Sequence, residues 1–343
     1  MLDDLTMIHE RDVQDALGIA EKQYEQLSYE FEVKVPLVKP ENIVYAAMGG
    51  SALAALLSQT WPGYRVPFEI VRGYDLPEYV SEKTLVIVAS YSGNTEETLS
   101  ALAQAEEKGA AIAVITGGGT LQQQAQEKGY PLALLPKAEQ PRYAVLYNLR
   151  ALLTLLQTLN VFVNDTVLEQ LAQQTDFLRQ AMAGWRPDVP TVDNPAKKIA
   201  QELTGKSIVV YGGPKLYPVA YKWKISFNEN AKQIAWVNQL PEFNHNEFIG
   251  WSKQPTNKPY AVIDLRSNLE HPRVEKRFEI TARLLSGMRP APIIVRPEGT
   301  RILSQLLWAI AYGDFVSLYL ALLNGLNPTP VDLVEKFKHE MDI

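Results

Sequence analysis

The sequence predicts an α/β fold made of two parallel β-sheets, each flanked by helices on both faces in three α-β-α layers. Two observations predict it. Short β-rich runs alternate with helical patterns, the signature of parallel strands joined by crossover helices. A stretch rich in Pro, Asp and Asn at 184–195 interrupts that alternation, which then restarts with the same strand, Gly-Gly turn and helix. Tyr45-Ala46-Ala47-Met48-Gly49-Gly50-Ser51 is echoed by Val210-Tyr211-Gly212-Gly213-Pro214. A chain of 343 residues is long for one domain and comfortable for two. The boundary is therefore expected at the linker, with domains at 1–183 and 184–343.

The elements follow in order. Val13, Leu17, Ala20 and Tyr24 recur at helical spacing and predict an amphipathic helix within 1–40, ended by Pro36 and Pro40. Strands are expected at 43–47, 66–71, 85–89, 110–115 and 132–135. The first is followed by a glycine turn and a helix carrying Leu53, Leu56 and Leu57. Helices are expected at 143–159 and 167–182. Beyond the linker, strands are expected at 207–211, 233–237, 260–265 and 292–295, with helices at 219–227 and 274–285. The mostly apolar helix 302–323 is expected to be buried between domains or subunits, and a helix at 330–341 closes the chain.

Composition narrows the function classes. The chain is 46% apolar and 21% charged, as in a soluble globular protein. A net charge of −6 argues against a nucleic-acid binder, which needs a basic face. The absence of Cys removes disulfides, thiol nucleophiles and thiolate metal sites. The acidic N-terminus lacks an apolar signal region, and no apolar run is read as long enough to span a bilayer. A cytoplasmic protein is the resulting expectation. No two His lie close enough for a His-Glu-x-x-His zinc site, and no Gly-x-Ser-x-Gly elbow is present. Gly205-Lys206-Ser207 has the tail of a P-loop but precedes a strand rather than a helix. The turn at Gly49-Gly50 lacks the full dinucleotide fingerprint.

Two regions carry candidate chemistry. In Ala89 to Thr98 a strand ends, a turn bearing Ser90, Ser92, Thr95 and Thr98 opens, and a helix begins. Free N–H groups and the positive dipole end of a helix suit a phosphate, and nearby hydroxyls add donors. An ordinary capping loop fits the same residues. The second region joins Asn228-Glu229-Asn230-Ala231-Lys232 to Pro241-Glu242-Phe243-Asn244-His245-Asn246-Glu247. His245 in a polar turn can move protons at neutral pH, and Glu229 can act as a general base. The plainer reading is a helix-end Glu and a turn His satisfied by its Asn neighbours.

Met48-Gly49-Gly50-Ser51-Ala52, Ser90-Tyr91-Ser92-Gly93-Asn94-Thr95-Glu96-Glu97-Thr98, Pro141-Arg142 and the two polar segments together resemble the bifunctional phosphoglucose/phosphomannose isomerase family. That family is built of two sugar-isomerase (SIS) domains, and the likeness runs from about Ile43 to the C-terminus. The serine turn alone marks only a SIS domain. Its pairing with the Glu229 and His245 segments is far more specific. The resemblance implies that Gly49, Gly50, Ser51, Ser90, Ser92 and Thr95 bind a sugar phosphate. It implies Glu229 as the base working between C1 and C2, Arg142 as the stabiliser of a cis-enediolate, and His245 as the ring-opening residue reaching the site from a partner subunit of a homodimer. A C-terminal lysine should lie near the ring oxygen. Lys338 is favoured by the Phe-Lys ending, Lys336 by its spacing from Thr329. The implied reaction interconverts glucose 6-phosphate, and mannose 6-phosphate, with fructose 6-phosphate, using neither metal nor organic cofactor. One departure is visible: Ala47 stands where the family turn usually has its first glycine. Other SIS classes fit less well. The regulators attach a DNA-binding helix-turn-helix, for which the first 40 residues are too short and too acidic. The amide-transferring enzymes use a Cys that this chain lacks.

Overall fold

A computed structural model describes residues 1–33, 39–253 and 259–341. Pro36, one of the two expected helix stops, lies outside the described residues. The chain opens with α1 (Leu5–Arg11) and α2 (Ala16–Glu21). Then come β1 (Asn42–Ala47), α3 (Leu53–Thr60), β2 (Phe68–Val71), β3 (Thr84–Ser90), α4 (Glu96–Glu107), β4 (Ala111–Thr116), α5 (Gly119–Lys128) and β5 (Leu132–Leu134). Helices α6 (Val145–Gln157), α7 (Val167–Ala172), α8 (Thr175–Met182) and α9 (Pro195–Leu203) lead to β6 (Ser207–Gly212), α10 (Tyr217–Glu229), β7 (Ala235–Gln239) and α11 (Glu247–Gly250). The chain continues through β8 (Tyr260–Leu265), α12 (Pro272–Leu284), β9 (Ile293–Val295), α13 (Ile302–Leu323) and α14 (Asp332–Glu340).

These elements form two compact units. The first comprises Gln23–Thr175 with Val331–Ile343, the second Met1–Lys22 with Asp176–Pro330. Against the expected 1–183 and 184–343, the chain passes between units at Thr175/Asp176, and each chain end lies with the unit of the other half, for which local contacts give the reason. The N-terminal helices belong with α13: α2 packs on it, and the Arg11 guanidinium donates to the Leu322 carbonyl. Asp3 accepts from Lys197 Nζ at 3.2 Å and from the Thr191 amide at 2.7 Å. At the other end, α14 lines a cavity of the first unit.

In the first unit the five strands are all parallel, in the order β2-β1-β3-β4-β5. Val44, Ala46, Val86, Val88 and Val114 alternate onto one face, where Leu102 of α4 and Leu121 of α5 cover them. Helices α3 and α6 pack on each other and reach β2 and β4. The chain winds from β1 to β2 in one direction and then places β3 on the other side of β1. The carboxyl ends of β1 and β3 thus flank the point where the winding reverses, which is where open α/β sheets bind ligands.

The second unit repeats this order without a fifth strand: β7-β6-β8-β9, all parallel. Its buried axis is α13. That helix is 22 residues long with mean hydropathy 1.8. By length and composition it could cross a membrane, which corrects the expectation that no run is long enough. Protein covers it instead, with 94% of its most apolar window buried. It packs on α9, α10 and α2 of its own unit and so forms a core helix of that unit, where burial between domains or subunits was expected. A buried charge pair fixes it. Lys222 Nζ on α10 bonds Asp314 on α13, and Ser226 Oγ lies 2.7 Å from the ammonium and 3.0 Å from the carboxylate.

Three local expectations shift. The first helix is two, because Asp15 turns left-handed (φ 55°) and caps α2, while the Asp12 carboxylate accepts the Ala16 and Leu17 amides. Leu17 and Ala20 are buried as expected, but Val13 is exposed. The 167–182 helix divides into α7 and α8. Strand β7 starts two residues late, because Lys232 takes φ 50° and Asn228 Oδ1 holds the Ala235 amide at 2.9 Å.

Strand β8 carries one carboxylate into the core of the second unit. Asp264 is 1% exposed, and neither of its oxygens has a hydrogen-bond partner among the described residues. Burial raises it from an ordinary 3.8 to about 6, outweighing Arg289 and Arg266. The folded chain therefore holds this proton more tightly than the unfolded chain. The ionised form costs stability above about pH 6, and the cost vanishes below the unfolded value. Asp264→Asn is accordingly expected to stabilise the protein by about 2 to 3 kcal/mol at pH 7.5 and to give no gain near pH 4. Melting temperatures across pH 4–8 test this, and a gain that does not change with pH would contradict it.

Candidate active site

The first unit builds a cradle from the two loops at its reversal point. After β1, Gly49 takes φ +49° and the chain makes a tight turn, Gly49–Ala52, before α3. Gly50 abuts the Pro141–Arg142 backbone: a Cβ there would lie 3.5 Å from the Arg142 nitrogen. Ser51 is buried. Its hydroxyl accepts the Tyr91 amide at 3.1 Å, and its carbonyl accepts the Tyr45 hydroxyl at 3.1 Å. The two loops are thereby stitched together.

After β3 the serine turn forms its own network. Ser90 Oγ lies 2.7 Å from Thr95 Oγ1 and 3.3 Å from Ser92 Oγ, and it accepts the Gly93 amide at 3.2 Å. Thr95 is the N-cap of α4, yet its side chain makes no capping hydrogen bond. Its hydroxyl faces Ser90 instead, which does not fit the ordinary capping loop. Gly93 permits the turn. It sits at φ +73°, where a Cβ would lie 1.8 Å from the Gly118 carbonyl oxygen. A third loop braces it, as Asn94 Oδ1 accepts the Thr120 amide at 2.9 Å.

The two loops face one cavity of about 500 Å³. Gly49, Gly50, Ser51, Ser90, Ser92 and Thr95 all line it, so the structure brings together the six residues expected to hold a phosphate. Pro141 lines it too. Arg142, next in sequence, is 1% exposed, with its guanidinium 4.8 Å from the Tyr143 ring centroid. Helix α14 contributes Val334, Glu335, Phe337 and Lys338 to the wall. Lys338, not Lys336, is at the cavity, paired with Glu335 at 2.9 Å.

The second unit holds the other two expected residues. Glu229 is the last residue of α10. The segment after it is pinned to residues the sequence did not single out. Asn230 Nδ2 donates to Ser317 Oγ on α13 at 2.9 Å. Lys232 Nζ donates to the Asn327 and Pro328 carbonyls, each at 2.9 Å. The one readable signal for this anchoring was the lone acid Asp314 in an apolar helix, the partner of Lys222 on α10. His245 ends a short turn after β7, and its ring is exposed. Its Asn neighbours do not satisfy it, against the plainer expectation: Asn244 donates to Thr281 Oγ1 at 2.9 Å and Asn246 to Glu242 at 2.6 Å. Glu247 is locked between Tyr211 and Asn238. Among the described residues no group of three or more His, Cys, Asp or Glu is placed to hold a metal.

Comparison with known proteins agrees with this architecture. Residues 36–161 match the SIS domain, and residues 192–341 match the bacterial phospho-glucose isomerase C-terminal SIS domain. The chain is thus a tandem SIS-domain protein. The bifunctional phosphoglucose/phosphomannose isomerase of Aquifex aeolicus is 32% identical over 96% of this chain and 99% of the relative. This chain belongs to the bifunctional phosphoglucose/phosphomannose isomerase family. The D-glucosamine-6-phosphate 4-epimerase of Sulfolobus acidocaldarius is 34% identical over 67% of this chain and 70% of the relative. A glucose-6-phosphate isomerase like protein from Thermus thermophilus superposes with TM-score 0.67 over 98% of both chains at 19% identity, a likeness of fold.

Replacing two hydroxyls of the serine turn tests whether it holds an anion. Ser92→Ala with Thr95→Val is expected to weaken inorganic phosphate binding by about 10²- to 10⁴-fold, since each hydroxyl lost is one bond to a charged group. Titration calorimetry measures it. Unchanged affinity in a folded variant would remove the turn as a phosphate cradle.

Proposed function

We propose that this protein interconverts glucose 6-phosphate, and also mannose 6-phosphate, with fructose 6-phosphate. The observation that carries the reading is the single cavity lined by the six cradle residues and Lys338, in a chain of this family. The phosphate is held in the cradle, far from the reacting carbons, so its binding energy positions the sugar. The Glu229 carboxylate removes the C2 proton of the open-chain aldose. The electron pair left behind forms the C1–C2 double bond of a cis-enediolate, and the carbonyl oxygen takes up negative charge. Arg142 stabilises that charge. The O2 hydroxyl proton passes to O1, and Glu229 returns its proton to C1, leaving the carbonyl at C2. Return from fructose 6-phosphate to one face or the other of C2 gives the glucose or the mannose epimer. Lys338 assists at the ring oxygen. The setting we infer is cytoplasmic hexose phosphate metabolism, shared by glycolysis and gluconeogenesis.

We further propose that His245 opens the sugar ring in the site of a second copy of the chain. Within the second unit, Glu229 and His245 belong to opposite ends of the sheet. Asn228, beside Glu229, holds the first residue of β7, whereas His245 follows the last. The five-residue strand between them is about 17 Å long. One carboxylate and one imidazole of the same unit so placed do not serve the same two carbons. A homodimer that exchanges His245 resolves this, and the exposed His245 ring suits delivery to a partner.

Two measurements test the reading. A coupled assay should show fructose 6-phosphate consumed with solvent deuterium entering the product. Glu229→Gln is expected to lower kcat by about 10²- to 10⁴-fold with KM within a few-fold. Wild-type turnover in that variant removes Glu229 as base, while sugar-phosphate binding with no conversion of fructose 6-phosphate would favour a non-catalytic sugar-phosphate-binding SIS protein. For the exchanged histidine, Glu229→Gln and His245→Ala chains are each expected to be inactive. Re-equilibrated together, they should recover about a quarter of wild-type activity, since half the dimers then hold one intact site. No recovery would place His245 in its own chain's site or outside catalysis.

A further inference from the structure

Tyr91 lies between two serines assigned to the phosphate cradle, yet its side chain turns away from them. Its hydroxyl reaches the segment that leads to Arg142. The Ala138 amide donates to that hydroxyl, and the Pro136 and Ala138 carbonyls lie 3.1 and 3.2 Å from it, in position to accept its proton. Three residues after Ala138 the chain reaches Pro141 and Arg142, whose backbone rests against Gly50 of the cradle. The main chain of Tyr91 is tied as well. Its amide donates to Ser51 Oγ at 3.1 Å, and its carbonyl accepts the Gly117 amide at 3.0 Å. Gly117 has no room for a side chain on this side, since a Cβ would lie 2.9 Å from the Tyr91 carbonyl oxygen and 3.3 Å from its ring. One residue thus joins the loops after β1, β3 and β4 to the approach segment of Arg142. Burial raises the phenol above its ordinary value, so it stays protonated and donating at neutral pH.

We propose that Tyr91 is a positioning residue for the isomerisation. Through its hydroxyl it fixes the Arg142 segment relative to the phosphate cradle, so that the guanidinium meets the charge that develops on the sugar. The inference rests on the isomerase reading and adds to it. The cradle binds the phosphate in ground state and transition state alike, whereas Arg142 acts where charge appears only during reaction. A residue linking the two affects kcat and leaves phosphate binding largely untouched. Tyr91→Phe keeps the ring and removes the oxygen alone, so it isolates the link. A short segment loosened by about 1 Å is enough to cost a positioned group much of its effect.

Tyr91→Phe tests this. The variant is expected to lower kcat about 10- to 100-fold, with KM for fructose 6-phosphate and affinity for inorganic phosphate within about threefold of wild type. In an Arg142→Ala background the same change is expected to have no further effect, because a residue acting through Arg142 cannot lose what is already gone. Hydrogen exchange at the Ala138 amide should speed up in Tyr91→Phe. Should that variant fold poorly, Ala138→Pro, which removes the amide that donates to the Tyr91 hydroxyl, is to be compared across the same cycle. Losses that multiply in the double variant, or phosphate affinity that falls along with kcat, would overturn the proposal. So would a folded Tyr91→Phe with wild-type kcat. A wild-type protein that converts none of the hexose phosphates would instead overturn the isomerase reading, and this proposal with it.

Discussion

The neighbouring placement of two parallel strands, β1 and β3, is the constraint on which the first unit depends. Their carboxyl ends meet where the winding of the sheet reverses, so the loops after them open onto the same space. Parallel strands buried on both faces must be apolar, and both runs are. The polar atoms are pushed to the strand ends, where Ser51 and Ser90 begin the cradle. The bond from the Tyr91 amide to Ser51 then holds the two loops together. The contact between the two loops and the turn of Thr95 toward Ser90 follow from that juxtaposition.

The second unit repeats the winding with a different loop. Its first glycine turn carries no serine, and the two residues proposed to act, Glu229 and His245, lie at the end of α10 and in the turn after β7. Both are held by packing against buried elements. Asn230 and Lys232 tie the end of α10 to α13 and to the loop beyond it. Phe243 lies between Tyr211 and Phe248, beneath the turn that exposes His245. The Lys222–Asp314 pair explains how a nearly all-apolar helix is kept in one rotation. A buried ion pair adds little net stability, but leaving either partner alone is costly, so mis-set rotations of α13 against α10 are excluded.

Much of this was legible in the sequence, for physical reasons that can be named. Strand and helix periodicity carried the alternation, and a Gly-Gly turn followed by a serine marked the first cradle loop. Less legible were the points where side chains override local preference. Asp15 and Lys232 adopt left-handed conformations that shift helix and strand boundaries. The break between α7 and α8 had no proline or glycine to announce it. The apolar stretch 302–323 fits a membrane helix, an interdomain helix or a core helix equally well by composition. Only its contacts with α9, α10 and α2 distinguish them.

The sequence by itself determined the fold class, the two glycine turns, the serine-rich turn after β3 and the family, because these rest on residue types at fixed local spacing. Only the tertiary structure decided which lysine faces the cavity, since Lys336 and Lys338, two residues apart, point to nearly opposite faces of one helix and its docking selects between them. It also decided that the two chain ends leave the domains to which sequence order would assign them, and that Tyr91 reaches the Arg142 segment. Contacts between residues about 45 positions apart, or some 300 at the chain ends, leave no local pattern to read. They exist once the sheet has closed and the loops at its edge have met.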